Sequence, residues 1–130
     1  MDNEKLISLA QKAMEHSYSP YSSFKVGAAA LGKSGDVHTG TNIENASYGA
    51  TICAERCAMF KGISEGEKGF EKIAIVCSGE DFPYPCGICL QVMAEFMDRE
   101  RGEIILFSKG ETKIFKLKEL LPFGFSLKDQ

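Results

Sequence analysis

The chain has 130 residues, 44% of them apolar, which suffices for one domain around one core. Its formal net charge of −3 provides no basic field to attract nucleic acid or an anionic membrane surface. No apolar run approaches the ~20 residues of a membrane span, and Met1 to Ala10 has no long apolar core, so it does not read as a secretory signal.

Residues 3 to 17 read as an amphipathic helix. Leu6, Ile7, Ala10, Ala13, Met14 and Ser17 recur at spacings of three and four, with charged and polar residues between them. Asn3 is the expected cap. Tyr18 to Ser22 breaks the helix, since Pro20 disfavours helical backbone at Ser19. Phe24 to Leu31 reads as a strand rich in small residues. Gly32 to Asp36 is a turn signal and Val37 to Ile43 a second strand, so the pair predicts a hairpin. Glu44 to Ala50 is polar and small and reads as a loop. Cys53 to about Glu65 is expected to be a helix. The continuous apolar run within Lys72 to Cys77 predicts a strand buried on both faces. Ser78 to Pro85 is a loop, and Gly87 to Arg99 a helix. Ile104 to Phe107 and Lys113 to Leu117 are two further strands, and Leu117 to Leu121 is a short helical turn. A hairpin followed by strand–helix crossovers predicts a mixed sheet with helices packed on it.

Two stretches carry the chemistry, Cys53-Ala54-Glu55-Arg56 and Pro85-Cys86-Gly87-Ile88-Cys89. Three thiols beside a carboxylate form an incomplete shell for Zn2+, with the fourth position left for water, as catalytic zinc requires. Only the thiolate binds a metal, and a helix start lowers thiol pKa. Cys86 and Cys89 lie three apart and share one face of a first helical turn. Cys53 and Glu55 lie two apart, about 200° around a regular helix. Both reach one site only if Cys53 sits at or before the first turn. Three thiolates on a dication leave net negative charge, and Arg56 is placed to donate to a thiolate sulfur. Glu55 is the expected proton carrier between the activated water and the substrate.

The same stretches resemble the zinc-dependent cytidine deaminases, a class known to use three cysteines and a glutamate that is not a ligand. The resemblance extends over Tyr18 to Ala28, Gly40 to Tyr48, Cys53 to Arg56, Pro85 to Gln91 and Glu119 to Pro122. It implies a single α/β domain over residues 1–130, a three-layer α/β/α arrangement with a mixed five-stranded sheet. It further implies hydrolytic deamination of cytidine and deoxycytidine in pyrimidine salvage, with one zinc per subunit. Asn42 and Glu44 would hold the ribose hydroxyls, and Phe24 would pack on the pyrimidine. Ala54 and Cys86 would offer backbone groups to the base, and Glu55 would bond ring nitrogen 3. The small members are homotetramers with shared sites, which implies that Ala46, Tyr48 and Phe125 line a neighbour's pocket. Gln91 would support the site from its helix. Two positions depart from the family pattern: Leu90 stands where an arginine is usual, and Phe123-Gly124-Phe125 replaces Gly-Ala-Phe.

Plainer readings compete residue by residue. A lone Cys-x-x-Cys is a redox pair, half of a structural site or a coincidence of packing. Cys57 and Cys77 read as core residues, and His16 and His38 as surface or strand residues without ligand partners. Taken alone, Phe24 is equally a core strand side chain and Glu44 a solvated charge. A deaminase for another aminopyrimidine would share the metal stretches but not Asn42 to Tyr48, and a structural zinc or redox module would need a fourth ligand. The expected compartment is the cytoplasm, where free thiols persist.

Overall fold

A computed structural model of the chain describes residues 1–128. Helix α1 spans Asn3–Met14, and the hairpin strands β1 and β2 span Val26–Gly32 and Val37–Thr41. Helix α2 (Ala54–Ser64) leads into β3 (Phe70–Cys77), followed by α3 (Gly87–Phe96). Strands β4 (Glu103–Ser108) and β5 (Glu111–Lys116) form a second hairpin, and α4 (Leu117–Leu120) follows it.

The five strands form one sheet in the order β2-β1-β3-β4-β5. Only β3 and β4 pair in parallel, joined by the α3 crossover, so the sheet is mixed as expected. Strand side chains alternate between its faces. Ala28, Ala30, Ile73, Ile75, Ile104 and Leu106 face a core shared with α2, α3 and α4. Ala29, Leu31, Ala74, Val76 and Ile105 face Leu6, Ile7 and Ala10 of α1. The three layers are therefore α1, the sheet, and the remaining helices. The small residues of the first hairpin bring both helix layers close. A Cβ on Gly40 would meet Ala54 O at 2.8 Å and also strike the Ala58 amide, so α2 rides directly on β2. That close approach sets where the start of α2 lies.

Several expected boundaries move, each for a local reason. Asp2 caps α1 in place of Asn3, its Oδ1 accepting from the Lys5 amide at 2.8 Å, while Asn3 Oδ1 accepts from Lys72 Nζ at 2.8 Å. Helix α1 ends at Met14 rather than residue 17, because the amides of His16 and Ser17 close tighter turns onto Ala13 and Met14. Strand β1 begins at Val26 rather than Phe24, since Ser23 adopts a left-handed backbone (φ 59°). Helix α3 stops at Phe96 rather than Arg99. Met97 turns extended and bridges Phe70, and Asp98 Oδ1 accepts from the amides of Glu100 and Arg101 in the next turn. Tyr48–Ala50 forms a short 3-10 turn inside the expected loop.

Candidate active site

Both chemical stretches lie at helix starts beside one end of the inner strands β1 and β3. Cys53 is the residue before the first turn of α2, with extended backbone (φ −76°, ψ 154°). That extended residue lets Cys53 and Glu55 face one point despite their spacing. Cys86 holds the same place before α3 (φ −75°, ψ 170°), and Cys89 lies on its first turn. The sulfurs of Cys53, Cys86 and Cys89 lie within 4.8 Å of one another. Zinc–thiolate bonds of about 2.3 Å in a tetrahedron need sulfurs roughly 4 Å apart, so this cluster fits one zinc. Cys89 is buried, Cys53 half-buried and Cys86 exposed, leaving the cluster open on the Cys86 side.

The local electrostatics suit such a centre. A hydrogen bond from Cys89 and the Arg56 guanidinium lower the Cys53 thiol to a pKa of about 5. Cys89, which keeps its proton in that pair, is pushed up. Arg56 Nη2 donates to Cys53 Sγ at 3.4 Å, and its buried Nε has no partner among the described residues. The cation is thus held against the sulfurs rather than in solvent. Leu90 is buried in the core beneath α3, so Arg56 is the guanidinium that faces the thiols here. Glu55 is 5% exposed, and burial, reinforced by the negative Cys53, raises its carboxyl to a pKa of about 7.

A cavity of about 400 Å3 opens beside the thiols. Among its lining residues are Phe24, Asn42, Glu44, Cys53, Ala54, Glu55 and Cys86. Asn42 is 8% exposed and largely engaged within the chain. Its Oδ1 accepts from the Val26 amide at 3.0 Å and from Ser17 Oγ at 2.5 Å, and its Nδ2 donates to Phe24 O at 2.7 Å. One amide hydrogen is left over. Glu44 accepts from the amides of Tyr21 (2.9 Å) and Ser22 (3.2 Å) and from the Ser22 hydroxyl, which holds its carboxyl below the usual range. Phe24 is 43% exposed, standing in the cavity wall because Ser23 turns the chain there.

Other expected residues lie elsewhere. Ala46 is exposed outside the cavity. Tyr48 lines an adjoining hollow of about 300 Å3 that shares Glu44 and Thr51 with it. Phe125 lies beyond α3, its carbonyl accepting from Gln91 Nε2 at 2.7 Å, so Gln91 reaches the C-terminal segment rather than the sulfurs. Cys77 and Cys57 are half-buried rather than core residues. Cys77 Sγ donates to Asp81 O at 3.4 Å. His38 lies on β2, a strand residue as expected, with its ring 11% exposed, 2.9 Å from Glu67 and 3.3 Å from Glu65. Sequence reasoning passed over the wall segment Phe82-Pro83-Tyr84; its signal was an aromatic pair directly before a metal ligand. A larger cavity of about 530 Å3, lined by Lys33, Phe70, Lys72, Asp98 and Arg101 among others, lies at the other end of β3 and contains no thiol.

Residues 1–101 match the family described as the cytidine and deoxycytidylate deaminase zinc-binding region. A cytidine deaminase of Sporosarcina psychrophila is 44% identical over 129 residues, covering 99% of this chain and 95% of that protein. One from Halalkalibacterium halodurans is 46% identical over 129 residues, covering 99% and 98%. The crystal structure of cytidine deaminase from Burkholderia pseudomallei superposes with a TM-score of 0.91 at 41% identity, covering 96% of this chain and all of that one. The helix-start thiols, the buried glutamate between them and these likenesses over nearly the full length agree: the chain belongs to the zinc-dependent cytidine deaminase family.

Proposed function

We propose that the chain converts cytidine and deoxycytidine, with water, to uridine and deoxyuridine plus ammonia. The observation that carries this is one cavity in which three clustered thiols, a buried carboxyl near neutrality and a cation-free wall meet. Zinc bound by Cys53, Cys86 and Cys89 would supply a water acidic enough to act as nucleophile at neutral pH.

The remaining steps fall to the chain's own residues. The water oxygen ends on ring carbon 4, and the amine leaves as ammonia. Of the two water protons, one ends on ring nitrogen 3 and the other on the ammonia. Glu55 carries both, accepting and releasing a proton at its carboxylate, for which a pKa near the working pH is the favourable value. Arg56 offsets thiolate charge through Cys53. Phe24 packs against the pyrimidine, and the backbone of Ala54 and Cys86 holds the base edge. Glu44 and the spare hydrogen of Asn42 hold the ribose hydroxyls. Glu44 is already fixed by Tyr21 and Ser22, so it is oriented before substrate arrives.

Deoxycytidylate is the second reading, since the family description includes it. The described cavity lining contains no lysine or arginine and includes Glu44. A 5′-phosphate there would be desolvated without a counter-charge, which favours the nucleoside.

We further propose a homotetramer in which Ala46, Tyr48 and Phe125 complete neighbouring cavities. Tyr48 is 82% exposed, Phe123 95%, Phe125 62% and Ile88 62%, which leaves these apolar side chains available to a neighbouring subunit. No helix among the described residues is long and apolar enough to cross a membrane. All five cysteines are unpaired, which supports a reducing cytoplasm. The test is the ultraviolet absorbance of cytidine, deoxycytidine and deoxycytidylate with zinc-replete protein, alongside its sedimentation. Rapid loss with both nucleosides, slow loss with the nucleotide, and a four-chain species are expected. No conversion of either nucleoside would falsify the substrate reading.

A further inference from the structure

The segment from Gly79 to Tyr84 ends in one wall of the cavity, Phe82-Pro83-Tyr84, two residues before Cys86. Its first half is tied down by polar contacts. Cys77 Sγ donates to Asp81 O at 3.4 Å, and Ser108 Oγ donates to Glu80 O at 3.0 Å. Its second half holds the two rings, and a different group meets them. Lys113 reaches up from β5, the last strand of the sheet. Its Nζ lies 4.6 Å from the Phe82 ring centroid and 5.8 Å from that of Tyr84. It also donates to the Tyr84 hydroxyl at 3.2 Å. Tyr84 leans on Phe115 of the same strand, with ring centroids 5.9 Å apart. The Tyr84 amide in turn donates to Phe82 O at 3.0 Å, closing a tight turn between the two rings.

We propose that Lys113 is a positioning residue for the nucleoside cavity: from outside it, one ammonium holds Phe82 and Tyr84 as the wall beside Cys86. This rests on the nucleoside reading given above. Lys113 does not line the cavity, so it acts only through the two rings. A cation over the Phe82 face is attracted to it, and the hydrogen bond fixes the hydroxyl end of Tyr84. Releasing the ammonium lets the rings turn towards solvent and widens the cavity. Substrate capture then weakens, while Glu55 and the thiols stay where α2 and α3 hold them.

The test compares Lys113→Met and Lys113→Arg with wild type, all zinc-replete. Methionine keeps the apolar stem but removes both the cation and the donor; arginine keeps both. For cytidine, Lys113→Met is expected to raise KM about fivefold to tenfold, the combined effect of one cation–π contact and one hydrogen bond, with a much smaller change in kcat. Lys113→Arg should restore KM. Independently of turnover, hydrogen exchange at the Tyr84 amide should quicken several-fold in Lys113→Met, while β3 and β4 exchange as in wild type. Unchanged KM, or unchanged Tyr84 exchange, overturns the proposal. Faster exchange in Lys113→Met, combined with a wild type that converts neither nucleoside, overturns the substrate reading and leaves the wall anchored by Lys113.

Discussion

Two carboxylates near opposite ends of α2 behave in opposite ways. Glu55, at the start, is 5% exposed and raised to a pKa of about 7. Glu67, just past the end, has a side chain 4% exposed and is lowered to about 2. The difference is the balance between burial and the donors each one meets. Burial dominates at Glu55, and its negative neighbour Cys53 adds to it. Glu67 accepts from the Ser34 hydroxyl (2.6 Å) and the Ser34 amide (3.0 Å), with His38 Nε2 at 2.9 Å. Where burial outweighs the donors a proton stays available for exchange; where the donors outweigh burial it is lost and the group becomes an anchor. One helix thus carries a reactive end and a fixed end.

The sharpest way to break that comparison is to neutralise each carboxylate separately. Glu55→Gln keeps shape and burial but carries no proton. Its turnover should fall by about 10²–10⁴-fold, the range for losing a general acid–base. Zinc content should match wild type, because Glu55 is not one of the three clustered thiols. Near-normal turnover in this variant would refute the role of Glu55, and loss of zinc would show that Glu55 belongs to the metal shell.

Gly40→Ala tests whether α2 really couples its two ends. The new methyl group meets the backbone of Ala54 and Ala58, which cannot swing aside as a side chain would. Overpacking of this kind costs about 1–3 kcal/mol, so Tm should fall by several degrees. Because the same displacement moves Cys53 and Glu55, turnover should fall as well. A variant that loses Tm but keeps full kcat/KM would show that the start of α2 is positioned by the metal cluster rather than by its seat on β2.

The reactive end was legible in the sequence and the fixed end was not, for a reason of chain distance. Cys53, Glu55 and Arg56 share a single turn, and Cys86 and Cys89 another. Their chemistry therefore follows from local spacing once each stretch is recognised as a helix start. The continuous apolar run within Lys72 to Cys77 likewise announced a strand covered on both faces. Glu67 takes its character from Ser34 and His38, 33 and 29 residues away. These meet it only because the hairpin turn folds over the end of α2. His38 consequently read only as a surface or strand residue without ligand partners. The aromatic wall failed in the same way, since Phe82 and Tyr84 lie in a segment that reads only as loop and Lys113 reaches them across 29 residues or more. The strand was expected to start at Phe24 because nothing in a serine announces the left-handed backbone that Ser23 adopts.

Glu67→Gln should produce the smallest effect and the most diagnostic one. Glutamine still accepts from Ser34 but carries no charge towards His38, so Tm at neutral pH should fall by only a few degrees, with zinc content and turnover unchanged. The pH dependence comes from the direction of the Glu67 shift. A carboxyl with a folded-state pKa of about 2, against 4.5 when free, stabilises the fold only while ionised. That contribution is complete above pH 4.5 and disappears as pH falls towards 2. The Tm gap between wild type and Glu67→Gln, measured by calorimetry, should therefore narrow steadily between about pH 4.5 and pH 3. A gap that stays constant through this range would mean that Ser34 and His38 hold Glu67 by shape rather than by charge. The contrast between the two ends of α2 would then reduce to hydrogen-bond geometry.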